Sequence, residues 1–196
     1  ALAAAKTMLD AGKLDAAVSL YDAVSKADVP AHMRTSAVYG AILARGTASL
    51  PLLMEQLKSN DPALVAVALR AARELPGAEV SLKLADELVK MPPAIQAMLI
   101  KTLVDRGDPS ARKTIANLAT SKTPAVRLES LKALGQIGGA SSVPVLIKAA
   151  ASEGEESTVA LASLRSISGD GADAAILKGM TDAKGDPRAK LISVLS

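Results

Sequence analysis

Apolar residues recur in this chain at helical spacing, nested inside a longer period. Leu53, Leu84, Ile115, Leu146 and Leu177 stand 31 positions apart. A second series lies roughly twenty residues earlier and reads Met33, Leu64, Ile95, Val126 and Val159, with steps of 31, 31, 31 and 33. Self-similarity at a fixed period of this size marks a stack of repeated units, each of which buries its apolar face on its neighbours. The later series is expected to hold its step throughout. The earlier one is expected to gain two residues at Glu153-Gly154, an inserted turn before the fifth unit.

The clearest unit runs from Thr123 to Ser152. Thr123 is placed to cap a helix and Pro124 to occupy its first position. Val126, Leu128, Leu131 and Leu134 then form one apolar stripe. Gly138 and Gly139 supply a stop, because glycine tolerates the left-handed backbone at a helix end. Ser141 or Ser142 is expected to cap a second helix whose buried face is Val143, Leu146, Ile147 and Ala150. The same grammar predicts helix pairs at Pro30–Ala44 with Leu50–Lys58, at Pro62–Leu75 with Ala78–Lys90, and at Pro93–Asp105 with Pro109–Ala119. A further pair is expected at Glu155–Ile167 with Ala172–Met180, and Asp186-Pro187 opens a sixth first helix. The first hairpin, Leu2–Ala11 with Leu14–Ser25, departs from the register, since position 22 calls for an apolar residue and holds Asp22.

Composition sharpens this into an all-α expectation. Alanine occupies 39 of 196 positions, and there is no Phe, no Trp and only two Tyr. Alanine has the best helix propensity and lets helices approach closely. The formal charge is +3, with signs interspersed along the helices, as at Arg70, Arg73 and Glu74 or Lys83, Asp86, Glu87 and Lys90, which argues against nucleic acid, whose binders cluster Lys and Arg. No cysteine is present, so disulfides and thiolate metal sites are excluded. That absence suits a reducing compartment and an exported bacterial protein equally well. No uninterrupted apolar run reaches the roughly 20 residues of a membrane span. The chain opens at Ala1 and stops at Ser196 inside a first-helix pattern, so it reads as a fragment of a longer protein.

The segment from Val126 to Gly138, VRLESLKALGQIG, followed by Val143-Pro144-Val145-Leu146, resembles HEAT repeats. The resemblance is to the short variety of about 30 residues found in phycobilin-lyase relatives and many bacterial proteins. Leu50-Pro51-Leu52-Leu53 echoes the second part, and Met33-Arg34, Leu64-Val65, Ile95-Gln96 and Val159-Ala160 match the first part partially. Gly12 to Tyr21 looks like the second helix of a tetratricopeptide repeat instead. The resemblance implies a right-handed α-solenoid of about five to six helix–turn–helix units, with residues 30–196 as the HEAT-like array and 1–29 as an N-terminal cap. It also implies that Arg127 pairs with an acidic residue of the neighbouring unit.

Candidate chemistry is sparse. His32 is the single histidine and has no second His or Cys to share a metal. The paired His-Glu motifs of HEAT-like hydroxylases, the tryptophan of HEAT-like DNA glycosylases and the aromatic pocket of a phycobilin lyase have no counterpart here. Gly135, Gly138 and Gly139 lack the strand and the Gly-Lys-Ser/Thr of a phosphate loop. Gly169-Asp170-Gly171 lacks the spaced ligands of a calcium loop and reads as an inter-helix turn. Glu153, Glu155 and Glu156 read as first-turn carboxylates favoured by the helix dipole. Catalytic, cofactor and metal residues are therefore expected to be none, and cofactors none.

The expected function is that of a non-catalytic scaffold binding a protein or peptide on the concave, second-helix face. The alternative is an accessory HEAT-repeat module of a larger bacterial enzyme. Exposed positions on the second helices are expected to include Glu55, Gln56, Lys83, Glu87, Arg112, Lys113, Asn117 and Lys148. Charge reversal at Arg112 and Lys113 is expected to leave folding intact. Tyr39 could face outward as a contact. Neither nucleic acid nor a membrane span is expected as a partner. The expected state is a monomer, with end-to-end association through Leu191, Ile192, Val194 and Leu195.

Overall fold

The computed structural model of the protein describes residues 1–182 and Ile192. The expected helix at Asp186-Pro187 and the apolar residues Leu191, Val194 and Leu195 lie outside the described residues. Among the described residues the regular structure is all helical. It runs α1 (Leu2–Asp10), α2 (Leu14–Lys26), α3 (Ala31–Arg45), α4 (Leu50–Leu57), α5 (Pro62–Glu74), α6 (Ala78–Leu88), α7 (Pro93–Arg106), α8 (Arg112–Leu118), α9 (Pro124–Ile137), α10 (Val143–Ala150), α11 (Glu155–Ser166) and α12 (Ala172–Asp182). Short 3₁₀ turns at 46–49, 109–111 and 140–142 lead into α4, α8 and α10. The boundaries follow the proline and glycine punctuation of the sequence. Asp61 and Asp108 each accept a backbone N–H two residues on, at 2.9 Å, and so start their helical segments. Thr123 and Ser142 stand at N-cap positions without a side-chain cap bond, contrary to expectation.

The chain divides into two compact units, Ala1–Lys83 and Leu84–Ser196. In the first, α1 and α2 form a hairpin whose Ala5, Ala17, Tyr21 and Val24 pack on Ala37, Ala41 and Ala44 of α3. Gly40 makes this possible: a Cβ there would stand 2.3 Å from the Tyr21 ring. Asp22, out of register for a core rung, is half-buried because Arg45 Nη2 donates to its carboxylate at 2.5 Å. The stretch Ala31–Leu57 is apolar and long enough to cross a membrane by composition alone. Gly46 interrupts it with φ 57°, and Arg45 carries its ion pair to Asp22, so here it is a helix pair rather than one continuous span.

In the second unit, α7, α9 and α11 pack side by side, with α8 on α9 and α10 on α11. The helices α9 and α11 approach closely at Gly135, where a Cβ would meet the Ser163 backbone at 2.7 Å. Gly138 ends α9 for a different reason from the expected one. Its φ is −66°, ordinary for any residue. A Cβ there would collide with the Leu134 carbonyl at 2.0 Å and touch Ile167 at 3.1 Å. Gly107, with φ 65°, is a position where the left-handed stop does operate.

Burial corrects the register of the last repeat. Leu53, Leu84, Ile115 and Leu146 are fully buried, but Leu177 is 53% exposed and Ile176 is 2% exposed. The buried first-helix positions Ala41, Ala72, Leu103, Leu134 and Leu164 tell the same story, with steps of 31, 31, 31 and 30. So do Ala37, Ala68, Leu99, Ser130 and Ala160. The expected two-residue insertion at Glu153-Gly154 is therefore a one-residue shortening of the loop at 151–154, shared by both helices of the final pair. Val159 was aligned with Val126 by hydrophobicity. The place of Val126 falls to Glu156 instead, and Val159 is only half-buried.

Candidate functional site: the second-helix face

The second helices bury one residue and expose the residue two positions on. In the corrected register the exposed positions are Glu55, Asp86, Asn117, Lys148 and Lys178. Each follows a buried rung, Leu53, Leu84, Ile115, Leu146 or Ile176, by about 200° around the helix, which turns it to solvent. All five are polar. Of the residues expected on this face, Glu55, Lys83, Lys113, Asn117 and Lys148 are exposed.

Three others are not free contact residues. Gln56 and Glu87 are buried, at 8% and 9% exposure. They follow their rungs Leu53 and Leu84 by three residues, about 60° short of a full turn, and so flank the buried stripe. In α10 the same place belongs to the buried Ala149. The Glu87 carboxylate accepts a bond from Lys90 Nζ at 2.9 Å, and this hydrogen bond holds the Lys90 ammonium above its ordinary pKa. Arg112 is partly buried, and its Nε donates to the Ile137 carbonyl at the end of α9. It satisfies an orphan helix-end acceptor, so charge reversal there would disturb the fold, contrary to expectation.

Two open grooves occupy the same place in the repeat. In the first unit, α2, α3 and α4 enclose about 520 Å³ lined by Asp22, Lys26, Arg34, Arg45, Leu52 and Glu55, among others. In the second, the end of α8, α9, α10 and the start of α11 enclose about 460 Å³ lined by Lys122, Arg127, Val145, Lys148, Ser152 and Glu156, among others. Arg34 and Arg127, Leu52 and Val145, and Glu55 and Lys148 are each 93 residues, three repeats, apart. Arg127 joins successive units: Nε donates to Glu156 Oε2 at 2.8 Å and Nη1 to the Ser121 carbonyl at 2.6 Å. The acidic partner implied for Arg127 is thus Glu156, in the first turn of α11. Arg34 reaches the Val29 carbonyl at 3.5 Å, but Leu64 stands where an acid would answer it.

Two further cavities lie elsewhere. One of about 610 Å³ separates α10 from α12 and is lined by Val143, Pro144, Ile147, Ala175, Lys178, Gly179 and Asp182. The other, of about 600 Å³, lies over α1 and α3 and includes both tyrosines. There Tyr39 is half-buried, its hydroxyl donates to Glu74 Oε2 at 2.5 Å, and the Arg70 guanidinium sits 4.4 Å above its ring. Burial, then the Glu74 hydrogen bond, pushes the Tyr39 phenol above its ordinary pKa. So Tyr39 ties α3 to α5 rather than standing free. The 31-residue offset between Tyr39 and Arg70 was a signal that could have found this pair. His32 is exposed. Among the described residues no cluster of His, Asp and Glu gathers to hold a metal ion.

Repeated antiparallel helix pairs with rungs buried at a fixed period define an all-α repeat protein of the solenoid class. Residues 81–168 match the family of HEAT repeats, and this stretch of the chain is HEAT-like. No curated protein matches it. Among solved structures, it is similar to the complex of CpcE and CpcF of phycocyanin lyase from Nostoc sp. PCC7120. The identity is 17% over 99% of this chain and 87% of that chain, with a TM-score of 0.44, a likeness that carries no functional argument.

Proposed function

We propose that the protein is a non-catalytic scaffold that binds a protein or peptide over the exposed face of its second helices. The observation that carries this reading is the polar register Asp86, Asn117, Lys148 and Lys178 of the second compact unit, held outward by buried rungs two residues earlier. Helix pairs that stack in one direction present such positions at intervals of about 8–10 Å, a template for an elongated partner. The mixed signs suit a protein surface better than a polyanion. Residues 1–29 act in this reading as a cap that closes the apolar end of α3 with the small side chains of α1 and α2.

Site-specific photo-crosslinking in cells that make the protein natively tests the reading. A benzophenone side chain at Asn117 or Lys148 is expected to capture the same partner protein. One at Lys101 or Lys132, exposed on the first helices, is expected not to capture it. Equal capture from both sets of positions would refute a second-helix binding face.

A further inference from the structure

The helix α10 stands between two cavities of opposite character within the second compact unit. On the α8 side lies the groove of Lys122, Arg127, Lys148 and Glu156. On the α12 side lies the groove of Val143, Pro144, Ile147, Ala175 and Gly179, with Lys178 and Asp182 at its rim. In the first groove Arg127 and Glu156 neutralise each other at 2.8 Å. Lys122 and Lys148 are both exposed, and among the described residues neither takes part in an ion pair. That groove therefore carries two uncompensated ammonium groups. The hydroxyl of Ser152 already serves the Ala149 carbonyl and that of Thr120 the Asn117 carbonyl, so the helix-end acceptors beside them are satisfied. The second groove is apolar because Val143, Pro144, Ile147 and Ala175 form its walls. Gly179 lets the Ile147 side chain pack directly against α12, since a Cβ at 179 would meet Ile147 Cδ1 at 2.0 Å.

We infer that this face takes an extended acidic–apolar segment of a partner protein, with a carboxylate in the α8/α10 groove and a bulky aliphatic side chain in the α10/α12 groove. The inference rests on the scaffold reading above and adds the chemistry of the partner. The charge of Lys122 and Lys148 selects the carboxylate, and the apolar walls select the aliphatic group. Neighbouring grooves on a helical layer are about 8–10 Å apart, and an extended chain advances about 3.3 Å per residue. The two anchors are thus about three residues apart, a Glu-x-x-Leu spacing. The corresponding groove of the first unit has Glu55 where this one has Lys148, so it does not offer the same pair of cations.

Fluorescence anisotropy with labelled twelve-residue peptides containing Glu-Ser-Ser-Leu, Lys-Ser-Ser-Leu or Glu-Ser-Ser-Ser tests the assignment. The first is expected to bind at least tenfold more tightly than the others, and its affinity to fall several-fold as salt rises from about 50 to 500 mM. The double variant K122E/K148E is expected to lose the preference for Glu. Gly179→Leu, whose Cβ displaces the Ile147 side chain and so crowds the apolar hollow, is expected to lose the preference for Leu with helicity retained. Equal binding of the three peptides, or binding of none, overturns the proposal. Crosslinking from Asn117 and Lys148 would then decide separately whether the broader scaffold reading survives. Concentration-dependent self-association that Gly179→Leu abolishes would assign the hollow to a second copy of this chain and equally overturn the proposal.

Discussion

Ile176 and Leu177 separate two accounts of the last repeat. By periodicity alone Leu177 is the fifth rung, and its removal should open the core. In the structure Ile176 is 2% exposed and Leu177 is 53% exposed. Ile176→Ala deletes three buried carbons, about 0.8 kcal/mol each in transfer free energy, so about 2.4 kcal/mol before any cavity cost. Because α12 rests chiefly on α10 and the turn at 140–142, the site can partly collapse, and a loss of about 2–3 kcal/mol is expected. Leu177→Ala removes a side chain already half in water. A loss below about 1 kcal/mol is expected, partly offset by the helix propensity of alanine. Repeat arrays need not unfold in one step, so a global midpoint is a poor gauge. Hydrogen exchange of the α12 amides reports the local opening directly. A difference of about 2 kcal/mol corresponds to roughly thirty-fold faster exchange through local opening in Ile176→Ala than in Leu177→Ala. If Leu177→Ala loses as much protection as Ile176→Ala, the 30-residue step is wrong and the uninterrupted ladder is right.

Three other outcomes follow from named contacts. Arg112→Glu should destabilise the second unit by about 1–3 kcal/mol by leaving the Ile137 carbonyl without its donor, whereas Lys113→Glu should stay within about 0.5 kcal/mol; chemical denaturation of both variants distinguishes them. Gly40→Val should cost about 1–3 kcal/mol by forcing the Tyr21 ring out of its seat, and adding Tyr21→Leu should recover part of that loss in thermal melts. Both phenols are held above their ordinary pKa, Tyr21 chiefly by burial and Tyr39 by burial and then Glu74. Their contribution to stability is therefore complete below the unfolded value near pH 10 and is lost as pH rises through the folded values. With no tryptophan present, absorbance at about 295 nm follows the two directly, and a phenol ionising at or below the ordinary value would contradict the burial of its ring.

Where the sequence carries its own punctuation, reading and structure agree. Proline at the first turn and glycine or a short polar run at the end mark α5, α7 and α9, because these residues act through local backbone geometry. The rungs at 53, 84, 115 and 146 were equally legible, since a core position repeated at a constant step is a periodic signal. The candidate face was only partly legible. Glu55, Lys83, Lys113, Asn117 and Lys148 are exposed as expected, while Gln56 and Glu87 are buried, their polarity having been read as exposure on the flank of a buried stripe.

By itself, then, the sequence determined that this is an all-α repeat protein, where its helices begin, and which way most of them face. Those properties depend on backbone preference and on periodicities of a few residues. The tertiary structure alone decided the rest. Ile176 rather than Leu177 is the last rung because a loop one residue shorter rotates the register of both helices together. Arg112 serves the end of α9, and Arg127 is answered by Glu156, because those groups meet only when repeats stack. The contrast between the basic and apolar grooves beside α10 is likewise invisible in one dimension. The basic lining runs from Ala119 to Glu156 and the apolar one from Val143 to Asp182, and Ile147 can pack against α12 only because residue 179 is glycine.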